Sequence, residues 1–477
     1  MDSLALPTAV RRASIEERQA AGVAARSARP RTSFATWAPA ADRPDPIQQL
    51  ADQETLRLQA LLPLRHERMS VSPFTFYRGS AAVMASDLGS MPNTGLVVQL
   101  CGDAHLSNFG LFAGQDRTVV FDVNDFDETN PGPFEWDVMR LAASFMLAAQ
   151  DNGFSAKDAD DITRLAASSY RTAMADYASM PDLAIWYDRI STTTLEQWAS
   201  EVGGDKATKQ LNKVIGKAQS RDGWSAIAKM TEVVDGTRRF LDQPPVLVRI
   251  TDGEDLHPWL DRLMEQYRTD LQNDRRELIR RYQVVDFGHK VVGVGSVGLR
   301  AFVLLLQGRD ENDLLVLQAK EAVQSVLEPY THSCVYEHQG QRVVEGQRLM
   351  QAASDAFLGW VQAPNGRQFY IRQLRDMKWS PDIAKLPVAQ LAGYAALCGR
   401  TLAHGHARSG DPVAIAAYLG QSEKFDVAIS NFARAYSGQV TSDFAEYTAA
   451  IADGRIVSGQ VDISGDRILD RHPQMPA

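Results

Sequence analysis

The spacing of apolar residues changes twice along the chain. Up to about residue 282, apolar residues recur mostly at intervals of three and four, which predicts helices; β-rich runs interrupt them near residues 95–123. From residue 284 the period falls to two, and "KVVGVGSVGLRAFVLLLQG", a polar turn and "LLVLQAKEA" predict a strand pair. Helical spacing returns in "LAGYAALCGRTLAHGHARSG". The pattern therefore predicts an α+β protein with a β-rich part between helices.

This pattern divides the chain into four parts. Residues 1–45 are rich in Ala, Arg, Ser and Pro and are predicted to form a flexible arm. Residues 46–282 are predicted to form a helical lobe that also carries the first β-rich runs. Residues 283–380 are predicted to form a β-rich lobe, and residues 381–477 to add helices that complete the helical lobe.

Composition and charge narrow the functional classes. The 477 residues carry a net charge of −9, whereas a protein that neutralises nucleic-acid phosphates is usually basic. The three cysteines are far apart and lack CxxC spacing, which argues against a zinc site and indicates a reducing compartment. No stretch approaches about 18 uninterrupted apolar residues, and the first residues lack the apolar core of a signal peptide. We expect a soluble, cytoplasmic protein without nucleic-acid or membrane partners.

The densest chemistry lies in two neighbouring stretches. "GDAHLSNFG" places Asp103, His105 and Asn108 in a loop after an apolar strand. "VVFDVNDFDETN" then carries further oxygen ligands: Asp122, Asn124, Asp125, Asp127 and Glu128. Carboxylates this close repel one another unless a cation compensates them, and carboxylate and amide oxygens suit Mg²⁺. A solvated acidic loop is the alternative, but the flanking apolar runs indicate the ends of core strands, where sites are built.

The first stretch resembles the catalytic loop of aminoglycoside phosphotransferases and choline-kinase-like enzymes, which reads His-Gly-Asp-x-His-x-x-Asn. The resemblance implies that Asp103 is the catalytic base, that Asn108 is a magnesium ligand and that His105 supports the loop. The chain departs from the pattern at Cys101, which stands where those enzymes have the first histidine, so no role of that histidine is carried over.

In the same enzymes a metal-binding aspartate follows on the next strand, with a further aspartate about 12 residues later. Asp125 and Asp137 have that spacing. The resemblance implies that Asp125 is the second magnesium ligand and that Asp137, at the start of a helix, braces the catalytic loop. Asp122 belongs to the same strand region and is the alternative metal ligand.

A glycine-rich segment, "VVGVGSVG", comes later in the chain. Gly293, Gly295 and Gly298 match GxGxxG, with Ser296 inside the loop, but this motif alone is weak. A strand rather than a helix follows it. This favours the kinase type of loop, which covers the phosphates of ATP, over the dinucleotide-binding type.

The next strand, "LLVLQAKEA", resembles the Val-Ala-Ile-Lys strand of protein kinases. The resemblance implies that Lys320 holds the nucleotide phosphates, and a solvated strand lysine is the alternative. Its ion-pair partner is expected on the following helix. Glu345 is the first choice for this partner and Glu328 is the second.

These parts stand in an unusual order, because the catalytic loop precedes the glycine loop. The simplest account is a two-lobed, protein kinase-like fold that is circularly permuted. "CGRTLAHGHARSG" resembles the helix before the catalytic loop of phosphotransferases, so it is expected beside "VVQLCGDAHLSN" in space. Asp286-Phe287-Gly288 spells the kinase metal motif, but it precedes the glycine loop and we interpret it as accidental.

On several specific phrases the chain is identified as a member of a bacterial family, domain of unknown function 2252. The phrases are "SPFTFYRG", "GDAHLSNFG", "FDVNDFDETNPGPFEWD", "KVVGVGSVG", "QRVVEGQRLMQ" and "IRQLRDMK". This membership implies a kinase-like relationship and supplies no substrate.

Together these resemblances imply an ATP-dependent, magnesium-assisted phosphotransferase that acts on a small hydroxylated acceptor. Arg78 is a candidate contact for a phosphate or an acidic substrate, with a structural role as the alternative. The basic strand end at Arg372, Arg375 and Lys378 is either a substrate contact or a surface patch. Nucleotidyl transfer, a non-catalytic nucleotide-binding protein and a metal-dependent hydrolase are the other functions considered.

Overall fold

Helices and antiparallel sheets together form this protein. The computed structural model describes residues 13–220, 223–250, 256–291, 293–374 and 377–461. Helix accounts for 53% and strand for 15% of the structure, and the strand pairs described are antiparallel. The predicted α+β class is therefore confirmed.

Helices dominate both ends of the chain. They are α1 (Ile15–Ala28), α2 (Pro46–Glu54), α3 (Leu62–Met69), α4 (Pro73–Gly79), α5 (Ala81–Gly89), α6 (Glu135–Asp151), α7 (Ala156–Ala178), α8 (Asp182–Tyr187), α9 (Thr192–Gln219), α10 (Gly223–Met230), α11 (Leu256–Asp270), α12 (Asn273–Ile279), α13 (Gln339–Met350), α14 (Val388–Ser409), α15 (Pro412–Leu419) and α16 (Lys424–Ala452). Within the described ranges, none of them combines the length and the apolar character that crossing a membrane requires.

The strands lie between these helical regions. They are β1 (Val97–Leu100), β2 (Phe109–Ala113), β3 (Val119–Val123), β4 (Asn130–Pro133), β5 (Ile190–Ser191), β6 (Thr231–Val234), β7 (Thr237–Phe240), β8 (Leu247–Arg249), β9 (Gln283–Lys290), β10 (Ala301–Gln307), β11 (Leu314–Glu321), β12 (Gly359–Gln362) and β13 (Gln368–Gln373). Two small sheets, β1–β4 and β2–β3–β5, carry the first β-rich runs.

The largest sheet has six strands in the order β12-β13-β11-β10-β9-β8. The glycine loop joins β9 to β10, a polar turn joins β10 to β11, and α13 separates β11 from β12. The predicted strand pair is thus present, but the sheet begins earlier than expected, because β8 pairs with β9 in the register Val248 opposite His289. Residues 247–250 and 256–282 therefore belong with the β-rich part rather than with the helical lobe.

One apolar core joins helices from the two ends of the chain. It contains Phe145 of α6, Tyr170 of α7, Leu402 of α14 and Phe432 of α16. The approach of α14 to α7 is close, since a Cβ atom on Gly399 would lie 2.2 Å from the carbonyl oxygen of Ala166. Glycine permits this contact because it has no side chain. The C-terminal helices thus pack in the same core as α6 and α7.

The prediction of a flexible arm is wrong from residue 13 onwards. Phe34 is 1% exposed and Trp37 packs edge-on against Tyr436 of α16, with their ring centroids 4.8 Å apart. Arg43 lies 2.7 Å from carboxylate oxygens of both Asp87 and Asp443. Buried aromatic area and a shared ion pair outweigh the Ala- and Pro-rich composition that suggested disorder. Residues 1–12 lie outside the described part of the chain.

A buried histidine in the large sheet gives the first testable prediction. His289 on β9 is 1% exposed, and neither ring nitrogen has a hydrogen-bond partner among the described residues. Burial lowers the pKa of His289 to about 4, with Arg300 adding to the effect. The unfolded chain therefore binds the proton first, so stability is lost as the pH falls from about 6.5 towards 4.

We expect His289→Leu to raise the free energy of unfolding by about 1–3 kcal/mol at pH 7.5, since it removes unpaired polar atoms. The gain should be larger at pH 5. Urea unfolding at both pH values measures this difference. A gain that is the same at both pH values would mean that His289 does not titrate as described.

Candidate active site

One cleft brings distant segments of the chain together. Its volume is about 680 Å³, including the part open to solvent. Ten of the residues singled out from the sequence line it: Arg78, Asp103, His105, Asn108, Asp125, Asp127, Glu128, Gly293, Gly295 and Ser296. Gln53 and Arg57 line it as well. The catalytic loop, the acidic turn after β3 and the glycine loop therefore face the same space.

Asp137 holds the start of the catalytic loop. Its carboxylate accepts hydrogen bonds from the amides of Cys101 (2.8 Å) and Gly102 (3.1 Å). The side chain is on the first turn of α6 and is fully buried. His406 of α14 lies 3.3 Å from the same carboxylate, and its other ring nitrogen lies 2.9 Å from the hydroxyl of Tyr170. Asp137 thus fixes the loop backbone, the geometry that a bracing role requires.

The loop aspartate and asparagine are fixed relative to each other. Arg140 donates from Nε to one Asp103 oxygen at 2.8 Å, and a terminal nitrogen of Arg140 lies 2.8 Å from the same oxygen. The Asn108 side-chain nitrogen donates to the backbone carbonyl of Asp103 at 2.8 Å. This bond uses only the amide nitrogen, so the Asn108 side-chain oxygen remains an acceptor for a further ligand.

His105 lies beside Asp103 in its neutral form. Its Nε2 lies 3.7 Å from the second oxygen of Asp103. Burial lowers the pKa of His105 to about 3, and the charge of Asp103 only partly opposes this. The ring is consequently neutral at pH 7 and is not a proton donor to a substrate.

Arg140 is a site residue that the sequence analysis missed. Its guanidinium packs 3.8 Å from the ring centroid of Tyr77 and donates to the Tyr77 carbonyl at 2.7 Å. The Tyr77 hydroxyl donates in return to the Arg140 carbonyl at 2.9 Å. Arg140 follows Asp137 by three positions on α6, so both side chains share one helix face. This spacing of three positions from Asp137 was the sequence signal that could have identified Arg140 as a site residue.

Lys320 reaches the acidic turn from the six-stranded sheet. It is 2% exposed, and its Nζ lies 2.5 Å from Oδ2 of Asp127. Tyr370, its cross-strand neighbour on β13, donates its hydroxyl to the other Asp127 oxygen at 2.6 Å. Ser296 of the glycine loop donates to Asp127 Oδ2 at 3.2 Å. Asp127 therefore joins the sheet, the glycine loop and the acidic turn.

The charges in this cluster compensate one another. Burial by itself lowers the pKa of Lys320, but the carboxylates of Asp125 and Asp127 outweigh it and raise the pKa. Burial likewise raises the pKa of Asp125, and the positive charges of Lys320 and Arg372 reverse this to a net lowering. The lysine is protonated and Asp125 is ionised at neutral pH. An ionised carboxylate in the cleft is what a metal ion requires.

The predicted ion-pair partners of Lys320 are wrong. Glu345 on α13 pairs with Arg348 at 3.1 Å, one turn along the same helix. Glu328, the second choice, accepts from the amide of Cys334 at 3.3 Å. The partner is Asp127 instead, because the acidic turn comes closer to β11 than α13 does.

Helix α13 contributes an arginine to the acidic turn. Arg342 is 1% exposed and donates to the backbone carbonyls of Asp127 (2.9 Å), Thr129 (2.6 Å) and Val323 (2.8 Å). It therefore holds the turn backbone while Lys320 holds the Asp127 carboxylate. Nothing in the sequence pattern of α13 distinguished this arginine from a solvated one.

Asp122, the alternative metal ligand, lies outside the cleft. It is 4% exposed, and its oxygens accept from the amides of Val123 (2.8 Å) and Ala352 (3.1 Å). These bonds tie β3 to the segment after α13. Of the two aspartates considered for the metal, Asp125 is the one that faces the cleft.

The glycine loop is anchored through its carbonyl groups. The pairs are Arg68–Gly293 (2.6 Å), Arg65–Val294 (3.1 Å), Arg65–Gly295 (2.8 Å), Arg57–Val297 (2.7 Å) and the Leu58 amide–Gly298 (2.8 Å). Gly293 and Gly298 have φ angles of +68° and +94°, which favour glycine. No described residue accepts from the amides of Gly295 and Ser296, so these donors are available to an anion.

The donor set suits magnesium held together with a phosphate. In the part of the chain that the structure describes, no group of three or more His, Cys, Asp or Glu side chains forms a ready metal cage. Magnesium is usually bound by one or two carboxylates together with substrate phosphates and water. Asn108 and Asp125, both lining the cleft, match that smaller requirement.

The Asp286-Phe287-Gly288 triplet has a structural role. Asp286 lies on β9, where its carboxylate is 3.0 Å from Nε of Arg249 and accepts from the amide of Phe240 at 2.6 Å. These bonds join β9 to β7 and β8. The placement agrees with the interpretation of the triplet as accidental.

Comparison with known proteins gives one family. The model of domain of unknown function 2252, described as an uncharacterized protein conserved in bacteria, matches residues 57–450. The chain belongs to this family. No curated protein and no solved structure gives a significant match. The part of the chain that matches domain of unknown function 2252 begins at Arg57, which lines the cleft, and includes Asp103, Asp127 and Lys320.

Of the basic residues at the end of β13, the structure places Arg372 beside the acidic turn. Arg372 lies 5.6 Å from the ring centroid of Tyr370, and its positive charge helps to lower the pKa of Asp125. Arg375 lies outside the described residues. Arg372 is thus a part of the site, not a surface charge.

Proposed function

We propose that this member of domain of unknown function 2252 is an ATP-dependent phosphotransferase with a circularly permuted, kinase-like fold. The observation that carries the proposal is the ion pair between Lys320 and Asp127. It puts a buried strand lysine beside the acidic turn that follows the catalytic loop. This is the pairing of positive and negative charge that binding of a metal–nucleotide complex needs.

The order of parts in the six-stranded sheet supports this proposal. A glycine turn is followed by β10, by β11 with Lys320 near its end, by the helix α13 and by two further strands. Protein kinases carry their glycine loop, phosphate-binding lysine and following helix in the same order.

The position of α14 supports the permutation. The amide of Gln99 on β1 donates to Ser409 at the end of α14, at 3.2 Å. A Cβ atom on Gly410 would lie 2.6 Å from the side chain of Val98. The helix that resembles the one before a phosphotransferase catalytic loop therefore packs beside the strand that leads into that loop.

The residues of the cleft have distinct tasks in the proposed reaction. Asp103 accepts the proton of the acceptor hydroxyl while the acceptor oxygen forms a bond to the terminal phosphorus of ATP. The bond between that phosphorus and the bridging oxygen breaks, and ADP leaves with the electron pair. Lys320 and the glycine-loop amides balance the charge of the phosphates. Asn108 and Asp125 would hold Mg²⁺, which supplies charge neutralisation and orientation when bound.

The acceptor is proposed to be a small hydroxylated molecule. The loop that carries Asp103 and Asn108 resembles the loop of small-molecule kinases more closely than that of protein kinases. Nucleotidyl transfer would use the same residues with the nucleotide reversed. A metal-dependent hydrolase gives no role to Lys320, whose burial and ion pair are unexplained in that alternative.

The test is a thermal-shift titration with ATP and Mg²⁺. We expect the wild-type protein to be stabilised only when both are present, by about 2.7 kcal/mol at a ligand concentration of one hundred times Kd. Asp125→Ala should remove the magnesium-dependent part of the shift, because it removes the metal carboxylate.

Asp286→Asn is the control for this titration, since Asp286 belongs to the accidental triplet and lies on β9. It should keep the full magnesium-dependent shift. If the wild-type protein shows no shift with ATP under any condition, the phosphotransferase and the non-catalytic nucleotide-binding proposals both fail.

A further inference from the structure

Arg78 is a cation at the cleft without a carboxylate partner. Its side chain lines the cleft beside Asp103, and no described residue accepts a hydrogen bond from it. The Nε atom is buried, and the guanidinium lies 5.9 Å from the ring centroid of Phe74. A partly buried arginine without an acceptor is unfavourable on its own, so its donors point to a ligand with negative charge.

Three carboxylates of the cleft are compensated by other cations. Asp103 is paired with Arg140, and Asp127 is paired with Lys320. Asp125 takes its compensation from Lys320 and Arg372. None of these three carboxylates forms an ion pair with Arg78 among the described residues, so its donors remain for a ligand.

The chain fixes Arg78 at the tip of the glycine loop. Arg65 donates to the carbonyl of Gly79 at 2.7 Å and, from its other terminal nitrogen, to the carbonyls of Val294 and Gly295. A Cβ atom on Gly295 would lie 3.2 Å from the Arg78 carbonyl. Arg65 thus ties the end of α4 and the glycine loop into one unit.

Tyr77, the residue before Arg78, connects Arg78 to the candidate base. Tyr77 holds Arg140 through its ring and its carbonyl, and Arg140 holds Asp103. Arg78 is therefore positioned between the glycine loop, which would cover the phosphates, and the candidate base, which would face the acceptor.

We infer that Arg78 binds the terminal phosphate of the nucleotide, the group transferred to the acceptor. This inference rests on the proposed function and makes it more specific. It orients the triphosphate with its terminal end towards Asp103, which favours phosphoryl over nucleotidyl transfer. As a planar donor fork, an arginine suits a phosphate whose negative charge is spread over several oxygens.

The experiment compares two nucleotides that differ by the group in question. Calorimetric affinities for the β,γ-imido analogue of ATP and for ADP, each with Mg²⁺, are measured for the wild-type protein and for Arg78→Gln. Loss of a charge-assisted pair with phosphate should weaken the ATP analogue about 10- to 100-fold. The affinity for ADP should change less than about threefold, because ADP lacks the terminal phosphate.

Two arginine variants serve as matched controls. Arg57→Gln removes a donor to the Val297 carbonyl and should weaken both nucleotides alike, since it acts through the loop. Arg309→Gln alters an exposed arginine in the turn after β10 and should leave both affinities unchanged. Arg78→Lys keeps the charge without the fork and should give an intermediate loss, which also covers the case in which Arg78→Gln does not fold.

The outcomes separate the two levels of the proposal. If the wild-type protein binds neither nucleotide, the proposed function fails and the role of Arg78 fails with it. If the wild-type protein binds both, but Arg78→Gln weakens them equally or leaves both unchanged, the inference about Arg78 is overturned while the proposed function stands. An unchanged affinity for both would assign Arg78 to an anionic acceptor or to the structure.

Discussion

Asp103→Asn is expected to lower the turnover of MgATP about 100- to 10,000-fold, the range associated with loss of a general base. The asparagine keeps an acceptor oxygen for Arg140, so the loop should retain its position. The side chain of Asp103 is 18% exposed at the cleft, where an acceptor hydroxyl can reach it. The measurement is the rate of ADP release from MgATP with water as the acceptor, followed by a panel of small polyols.

The nucleotide affinity separates a chemical effect from a structural one. Asp103→Asn should bind MgATP within about threefold of the wild-type affinity, because the proposed metal ligands are Asn108 and Asp125. Asp116→Asn is a matched control, since Asp116 is exposed and pairs with Arg189 away from the cleft. Wild-type turnover in Asp103→Asn would exclude Asp103 as the base, and binding without any wild-type turnover would favour a non-catalytic protein.

Lys320→Met is expected to lower the free energy of unfolding by about 3–5 kcal/mol and to abolish the MgATP-dependent thermal shift. The stability is lost because Asp127, whose side chain is 18% exposed, is left without its cation, and breaking a largely buried pair costs about this much. The methionine fills a similar volume, so a cavity contributes little. Urea unfolding and the nucleotide titration measure the two effects independently.

A double-mutant cycle identifies the cause of the loss. Lys320→Met combined with Asp127→Asn should recover part of the stability, since no unpaired charge remains, but none of the nucleotide binding. Additive losses in the double variant would show that the ion pair contributes nothing. Retained binding in Lys320→Met would favour the metal-dependent hydrolase, which needs no lysine.

The loop of Asp103 and the surroundings of Lys320 differed in how well they could be predicted from the sequence. The loop of Asp103 and Asn108 and its brace Asp137 were expected from the resemblance to phosphotransferase loops, and Asp137 does accept from the loop amides. The loop forms between neighbouring elements, and its spacing is set by local geometry. Arg140 was missed although it is one turn from Asp137, because an arginine on a helix is usually solvated.

The partner of Lys320 could not be predicted. Helix α13 follows β11 in the chain, and sequence order therefore favoured Glu345. In the fold the acidic turn lies nearer, and Asp127 takes the lysine together with Tyr370. The carboxylate that pairs with a given cation is decided by how two sheets are placed relative to each other. Neither the period of apolar residues nor the spacing of motifs along the chain encodes that placement.

The sequence by itself determined the elements and the segments that carry the chemistry. Alternation and helical spacing act over a few residues, so they fix the glycine hairpin, the strand of Lys320 and the helix of Asp137. Only the tertiary structure decided which of these meet. Residues 13–45 pack on α15 and α16, Asp122 lies outside the cleft, and Arg65, Arg68 and Arg57 hold the glycine loop. These outcomes depend on buried area and charge compensation between segments far apart in the chain, and those energies exist only once the segments are packed together.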